Sequence, residues 1–181
     1  YGEALFEIAD ASASNDFGIK IQKARGTIGS KAIVQDDDRT GFIGWQGYDG
    51  SNYKYTAAIM SHVDGTPGTN DMPGRLTFQT TPDGSQTLTD RMVINSSGNV
   101  GIGTTSPTGH LEISTADNTT YDVSQSDSQR DEGTSLVLYN TSTTTNSFSQ
   151  LVFRNRNSGT GSVRIAAISK GSDNSDLAIS N

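Results

Sequence analysis

The 181-residue chain has no cysteine, four prolines, one tryptophan and two histidines. Without cysteine there is neither a disulfide framework nor a thiolate metal site, and stability does not depend on the redox compartment. No apolar run is long enough to cross a bilayer as a helix, so membrane insertion is not expected. Lysine and arginine total 13 against 20 aspartates and glutamates, a formal charge of -7. A nucleic-acid groove needs clustered cations to neutralise phosphates, so that class of partner is excluded too. Charged residues are only 18% and hydrophobic residues only 31% of the chain. Disordered chains usually owe low hydrophobicity to high charge, whereas here the balance is Ser, Thr, Asn, Gly and Asp around alternating apolar residues. A β-rich chain with a thin core per subunit follows, of the kind completed by identical neighbours. The chain begins at Tyr1 without Met or a signal-peptide pattern, which suggests a segment of a longer polypeptide.

Period-two alternation marks the strands. Phe42–Gln46 precedes the turn Tyr48-Asp49-Gly50-Ser51, and Tyr53–Met60 returns with Tyr53, Tyr55, Ala57 and Ile59 expected on one face. Leu76/Phe78, Met92/Ile94, Val100/Ile102, Leu111/Ile113, Leu136/Leu138, Leu151/Phe153 and Val163/Ile165 follow as further strand pairs between turn residues. The one helix candidate lies within Tyr1–Ala13, where Phe6-Glu7-Ile8 reads equally well as a strand.

Three segments recur in the same order. Leu5–Asp10 resembles His110–Thr115, Tyr55–Ile59 resembles Arg164–Ile168, and Gly74–Phe78 resembles Ser175–Ile179. The offset of roughly a hundred residues exceeds any solenoid period. Two tandem modules are expected, 1–107 and 108–181, with Ser106-Pro107-Thr108-Gly109 at the seam and the second module incomplete at its C-terminal end.

The segment NSSGNVGIGTTSP, Asn95–Pro107, carries the most specific pattern. It is not a phosphate loop, having neither a third glycine in register nor a Gly-Lys-Ser/Thr sequence. It reads as a hairpin: Ser96–Asn99 turn, then Val100 and Ile102 share one face while Gly101 and Gly103 leave the other bare. A bare strand face invites close approach by another backbone, from a neighbouring chain or within one subunit around a bulge or ring.

Phe78–Gly84 and Asp90–Pro107, together with Gly47–Asn52, Val63–Gly74 and Phe153–Gly161, closely resemble segments of bacteriophage tail fibres and related receptor-binding structural proteins. In that family the segment often stands upstream of a self-cleaving intramolecular chaperone, and no such domain is recognisable in this sequence. The resemblance implies an all-β, elongated, parallel homotrimer of tandem β-hairpin or small-sheet modules, β-prism or sandwich-like. It implies a virion component, assembled in the bacterial host cytoplasm, whose partners are its own copies, other tail or baseplate proteins and a host surface glycan. On that reading Gly101, Gly103 and Pro107 are close-packing positions. A glycan-degrading tailspike and a bacterial surface adhesin or filament are the alternatives.

Few residues suggest chemistry. Trp45, Tyr48, Tyr53 and Tyr55 could contact a glycan through exposed rings, but their alternation with Ile43, Ala57 and Ile59 favours a buried β face. Asp36-Asp37-Asp38 lacks the closing glutamate of a calcium loop, and Asp64 and the cluster Asp127/Asp131/Glu132 read as solvated loops. His62 and His110 are too few for a zinc site unless a threefold axis gathers three copies. The sequons at Asn95, Asn118 and Asn140 occur by chance in so Asn/Ser/Thr-rich a chain. No catalytic set, metal or cofactor is expected, and the segment reads as non-enzymatic.

Overall fold

The computed structural model describes residues 19–116, 134–142, 144, 146–154, 162–169 and 175–180. All its regular elements are β, and the chain divides into two compact units, 1–118 and 119–181. The N-terminal helix candidate, the Asp127/Asp131/Glu132 cluster and the sequon at Asn118 lie outside the described residues.

Among the described residues the first elements of unit one are a small hairpin, β1 (Arg25–Thr27) and β2 (Ser30–Ala32), all exposed. Its main body is one six-stranded sheet of β3 (Arg39–Tyr48), β4 (Tyr53–Val63), β5 (Gly74–Thr80), β6 (Thr89–Ile94), β7 (Val100–Ile102) and β8 (Leu111–Ile113), in chain order. Each strand of β4–β7 pairs antiparallel with the one before it, through connections rich in Gly, Asn, Asp and Ser. The exception is β8, which lies parallel to β7, Val100 opposite Leu111 and Ile102 opposite Ile113. Parallel neighbours usually need a crossover of a dozen residues or more. Here the connection is 103–110, and it suffices because both strands are only three residues long. The two compact units divide after this strand, at 118/119, and the Ser106-Pro107 turn carries the chain back onto the same sheet.

Register sorts the side chains onto two faces. Ile43, Ile59, Phe78, Met92, Ile102 and Ile113 form one continuous row, and Leu76, Ile94, Val100 and Leu111 form the next. This apolar face is only partly covered: Ile43, Ile102 and Leu111 are 52%, 41% and 60% exposed. The most buried side chains are Val34, Ala58, Val63 and Val93; Ala58 and Val93 lie on the opposite face, while Val63 ends β4 on the same face as Ile59. Among the described residues no second sheet covers the apolar face.

The second unit is a three-stranded antiparallel sheet, β9 (Phe148–Arg154), β10 (Ser162–Ser169) and β11 (Ser175–Ser180), with β10 central. Leu151, Ile165 and Ile179 stand in one row. The repeated segments lie on neighbouring antiparallel strands in both units, but in different register: Ile165–Ile168 pairs with Asp176–Ile179, whereas Tyr55–Ile59 and Gly74–Phe78 share only the pair Ile59/Phe78. The alternation at Leu136/Leu138 does not yield a strand; 134–142 is irregular and both leucines are exposed. Alternation supplies a face but not a neighbour, and a lone strand gains no ladder.

Candidate functional site

The hairpin of β6 and β7 is built around Asn95. Its backbone N–H donates to Asn99 O at 3.0 Å and its Oδ1 accepts from Ser97 and Asn99 N–H at 3.1 and 2.9 Å. Gly98, with φ of 80°, supplies the left-handed residue the turn requires. Val100 and Ile102 share the apolar face as expected, but the bare glycine face is the covered one. Gly101 is buried, and a Cβ there would stand 2.5 Å from Thr104 O and 3.1 Å from Val93 Cγ1. Gly103 reverses the chain at φ of 73°, its own Cβ site blocked by Ser114 O. Pro107 is buried and its carbonyl accepts from Asn99 Nδ2 at 3.4 Å. The loop is clamped by Glu112, whose Oε2 accepts from Thr108 N–H and Oγ1 at 2.8 and 2.9 Å. Thus the space left by the glycines is occupied by this chain's own loop.

The four aromatics do not form one face. A bulge between Trp45 and Gln46 sets Trp45 opposite Ala57 but Gln46 opposite Tyr55, which flips the alternation beyond it. Trp45 stays on the apolar face with Ile43, while Tyr55 joins Phe42 on the other, ring centroids 5.3 Å apart and near perpendicular over Gly44. Tyr48 and Tyr53 pair across the strand ends at 5.4 Å. The expectation of a shared buried face is corrected: Trp45, Tyr48 and Tyr53 are at least half exposed and Tyr55 is 39% exposed.

The acidic turn serves the fold. Asp36 Oδ1 accepts from Gly65 N–H at 2.7 Å, and Asp37, at φ of 66°, accepts from Arg75 Nη2 at 2.6 Å. Asp38 takes Arg25 in a two-pronged pair at 2.6 and 2.9 Å and also Gln35 N–H. Arg25 above all, then the Gln35 amide, hold the Asp38 carboxyl far below its usual range. Asp64 bridges Arg75 Nη1 at 3.2 Å and Ser96 N–H at 2.7 Å, so it ties the β4–β5 loop to the glycine hairpin.

Sequence reasoning missed a polar groove of about 420 Å³ on the face opposite the apolar one. Its floor is Met60, His62, Arg75, Thr77, Gln79 and Val93; Asp37, Asp64, Asp90, Thr105 and Ser106 wall it. His62 titrates below its ordinary value because of burial, then of Arg75 and Arg39. The signal was present only as the i, i+2, i+4 spacing of Arg75, Thr77 and Gln79, which any amphipathic strand shows. His110 lies apart, exposed, its carbonyl accepting from Val100 N–H at 2.9 Å.

No protein-family model matches the chain, and no curated protein matches it. Among solved structures it is similar to the carboxy-terminal domain of the bacteriophage T5 L-shaped tail fibre with its intramolecular chaperone domain, at 14% identity and a TM-score of 0.52. That match covers 97% of this chain, which spans 55% of the other chain's length. A further structure of the carboxy-terminal domain of that fibre matches at 13% identity and a TM-score of 0.48, over 98% and 81% of the two chains. The likeness is one of fold.

Proposed function

We propose that the chain is a structural segment of a phage tail fibre, acting as a stalk or host-adhesion module within a parallel homotrimer. The observation that carries this reading is the apolar face of the six-stranded sheet, which no second sheet covers among the described residues. A row of six and a row of four Ile, Leu, Met, Phe and Val side chains are aligned by register, yet Ile43, Ile102 and Leu111 remain about half exposed. A contiguous apolar face of this kind marks an association surface. Three copies related by one axis would merge three such faces into a common core, while the loops of the polar face look outward. The fold shared with a tail-fibre domain agrees with this arrangement.

In this role the protein is mechanical and adhesive rather than catalytic. It belongs to the virion, is assembled in the bacterial host, and meets other tail or baseplate proteins along the fibre. The exposed rings of Tyr48 and Tyr53 are the surface offered to a host glycan. The deciding experiment is light scattering after size exclusion of the full chain over a dilution series. A mass three times the 19.2 kDa of one chain, persisting on dilution, supports the reading; a folded monomer overturns the shared core.

A further inference from the structure

The polar groove has features that fibre assembly does not use. Thr77 is only 4% exposed, yet its Oγ1 makes no hydrogen bond within the chain; His62 Nδ1 and Gln79 Oε1, which line the same groove, are also buried and unpartnered. Buried polar atoms are nearly always paired, because leaving one dry and unbonded costs free energy. All three belong to residues that line this recess, so a ligand seated in it would meet polar groups the chain itself leaves unpaired.

Thr77 Oγ1 and Gln79 Oε1 offer lone pairs. Gln79 Oε1 is left as an acceptor, since Nε2 donates to Asp90 Oδ1 at 2.6 Å. Burial disfavours the imidazolium of His62, so one ring nitrogen is left to accept. The walls add charge of one sign. Asp37 and Asp64 already flank Arg75, at 2.6 and 3.2 Å, while among the described residues Asp90 has no ion-pair partner. The lining is therefore acceptor-rich and formally negative. Among the described residues no three His, Cys, Asp or Glu side chains gather as metal ligands, which directs attention to an organic cation.

We propose that this groove binds a small organic cation dense in N–H donors, of the alkyl-diammonium class. One ammonium group sits among Thr77 Oγ1, Gln79 Oε1 and the Asp90 carboxylate, and the rest of the ligand runs along β5 toward Asp37 and Asp64. Met60 and Val93, opposite Thr77 in the register on either side, offer apolar contact to the methylene chain. The site lies within one chain and does not depend on the fibre reading.

The test uses the full chain with 1,4-diaminobutane, followed by titration calorimetry and by the His62 imidazole proton resonances. Saturable binding that moves those resonances is expected, weakened about tenfold by Thr77→Val and by Asp90→Asn, each removing one bond to a charged donor. Affinity also falls as salt rises. Asp90 is exposed, so D90N reports even if T77V misfolds. The proposal is overturned by the absence of saturable binding, by equal affinity in D90N, or by glucose, as a neutral polyol, occupying the site with D90N unaffected.

Discussion

Gly101 stands directly opposite Val93 in the ladder of β7 and β6, and the Val93 side chain, 1% exposed, fills the space a residue-101 side chain would need. The Thr104 carbonyl closes that space from above, 2.5 Å from where a Cβ would be. Backbone cannot yield as a flexible side chain can. Gly101→Ala is therefore expected to destabilise the first unit by about 1–3 kcal/mol, the range for overpacking a tight site. Chemical denaturation of the variant and parent measures it. Equal midpoints would mean the loop moves away freely.

How much of this was legible in the sequence depends on range. The Asn95–Val100 hairpin was readable because Ser-Ser-Gly-Asn fixes a turn locally, and the pairs Leu76/Phe78, Met92/Ile94 and Val100/Ile102 were readable because period two fixes a face. The bulge at Trp45/Gln46 was not, since nothing local distinguishes Thr56 as an extra residue; one insertion sent Tyr55 to the face opposite Ile59. What covers Gly101 was equally invisible, because the covering loop returns through a parallel pairing that no turn residue announces. Thr77 read as an ordinary strand residue, and only the three-dimensional census of partners makes it unusual.

The apolar face yields a second expectation. Ile102 lies between Met92 and Ile113 in its row, and it is exposed enough that a charge there costs little within one chain. In a shared core the same charge is buried without a partner, which is strongly unfavourable. Ile102→Asp should therefore keep the strand signal in circular dichroism while the light-scattering mass falls to that of one chain. Retention of the parent mass would place the contact between copies elsewhere.

Thr77 supplies a stability prediction independent of any ligand. Its hydroxyl is buried without a partner, so replacing it by the similarly shaped valine removes a desolvation cost while keeping a β-branched side chain. Thr77→Val is expected to raise unfolding free energy by about 1 kcal/mol. Urea denaturation with an unchanged slope checks it. A loss of that size instead would mean that the hydroxyl is satisfied in solution.

Acid should weaken the fold in two stages. His62 titrates below its ordinary 6.5 in the folded chain, through burial and then Arg75 and Arg39. A base whose folded pKa is depressed contributes stability that is complete above the unfolded value and is lost as pH falls through the folded one. The first decline therefore begins near 6.5 and is small, because the ring is only partly buried. Asp38, Asp49, Asp64 and Glu112 follow. Arg25 depresses Asp38, the Asn52 and Ser51 amides depress Asp49, and the Thr108 amide depresses Glu112. For Asp64 burial works the other way, but bonds from Ser96 and Arg75 outweigh it. Each of these carboxylates stabilises the fold above its unfolded value, 3.8 for Asp and 4.5 for Glu, and the contribution disappears as pH falls below it. Denaturation midpoints measured from neutral pH downward should fall slightly below 6.5 and further below 4.5. In His62→Gln the first decline disappears while the second remains, which assigns the two stages. A midpoint that rises on acidification toward 4.5 would show that like-charge repulsion among the 20 acidic residues outweighs these local bonds.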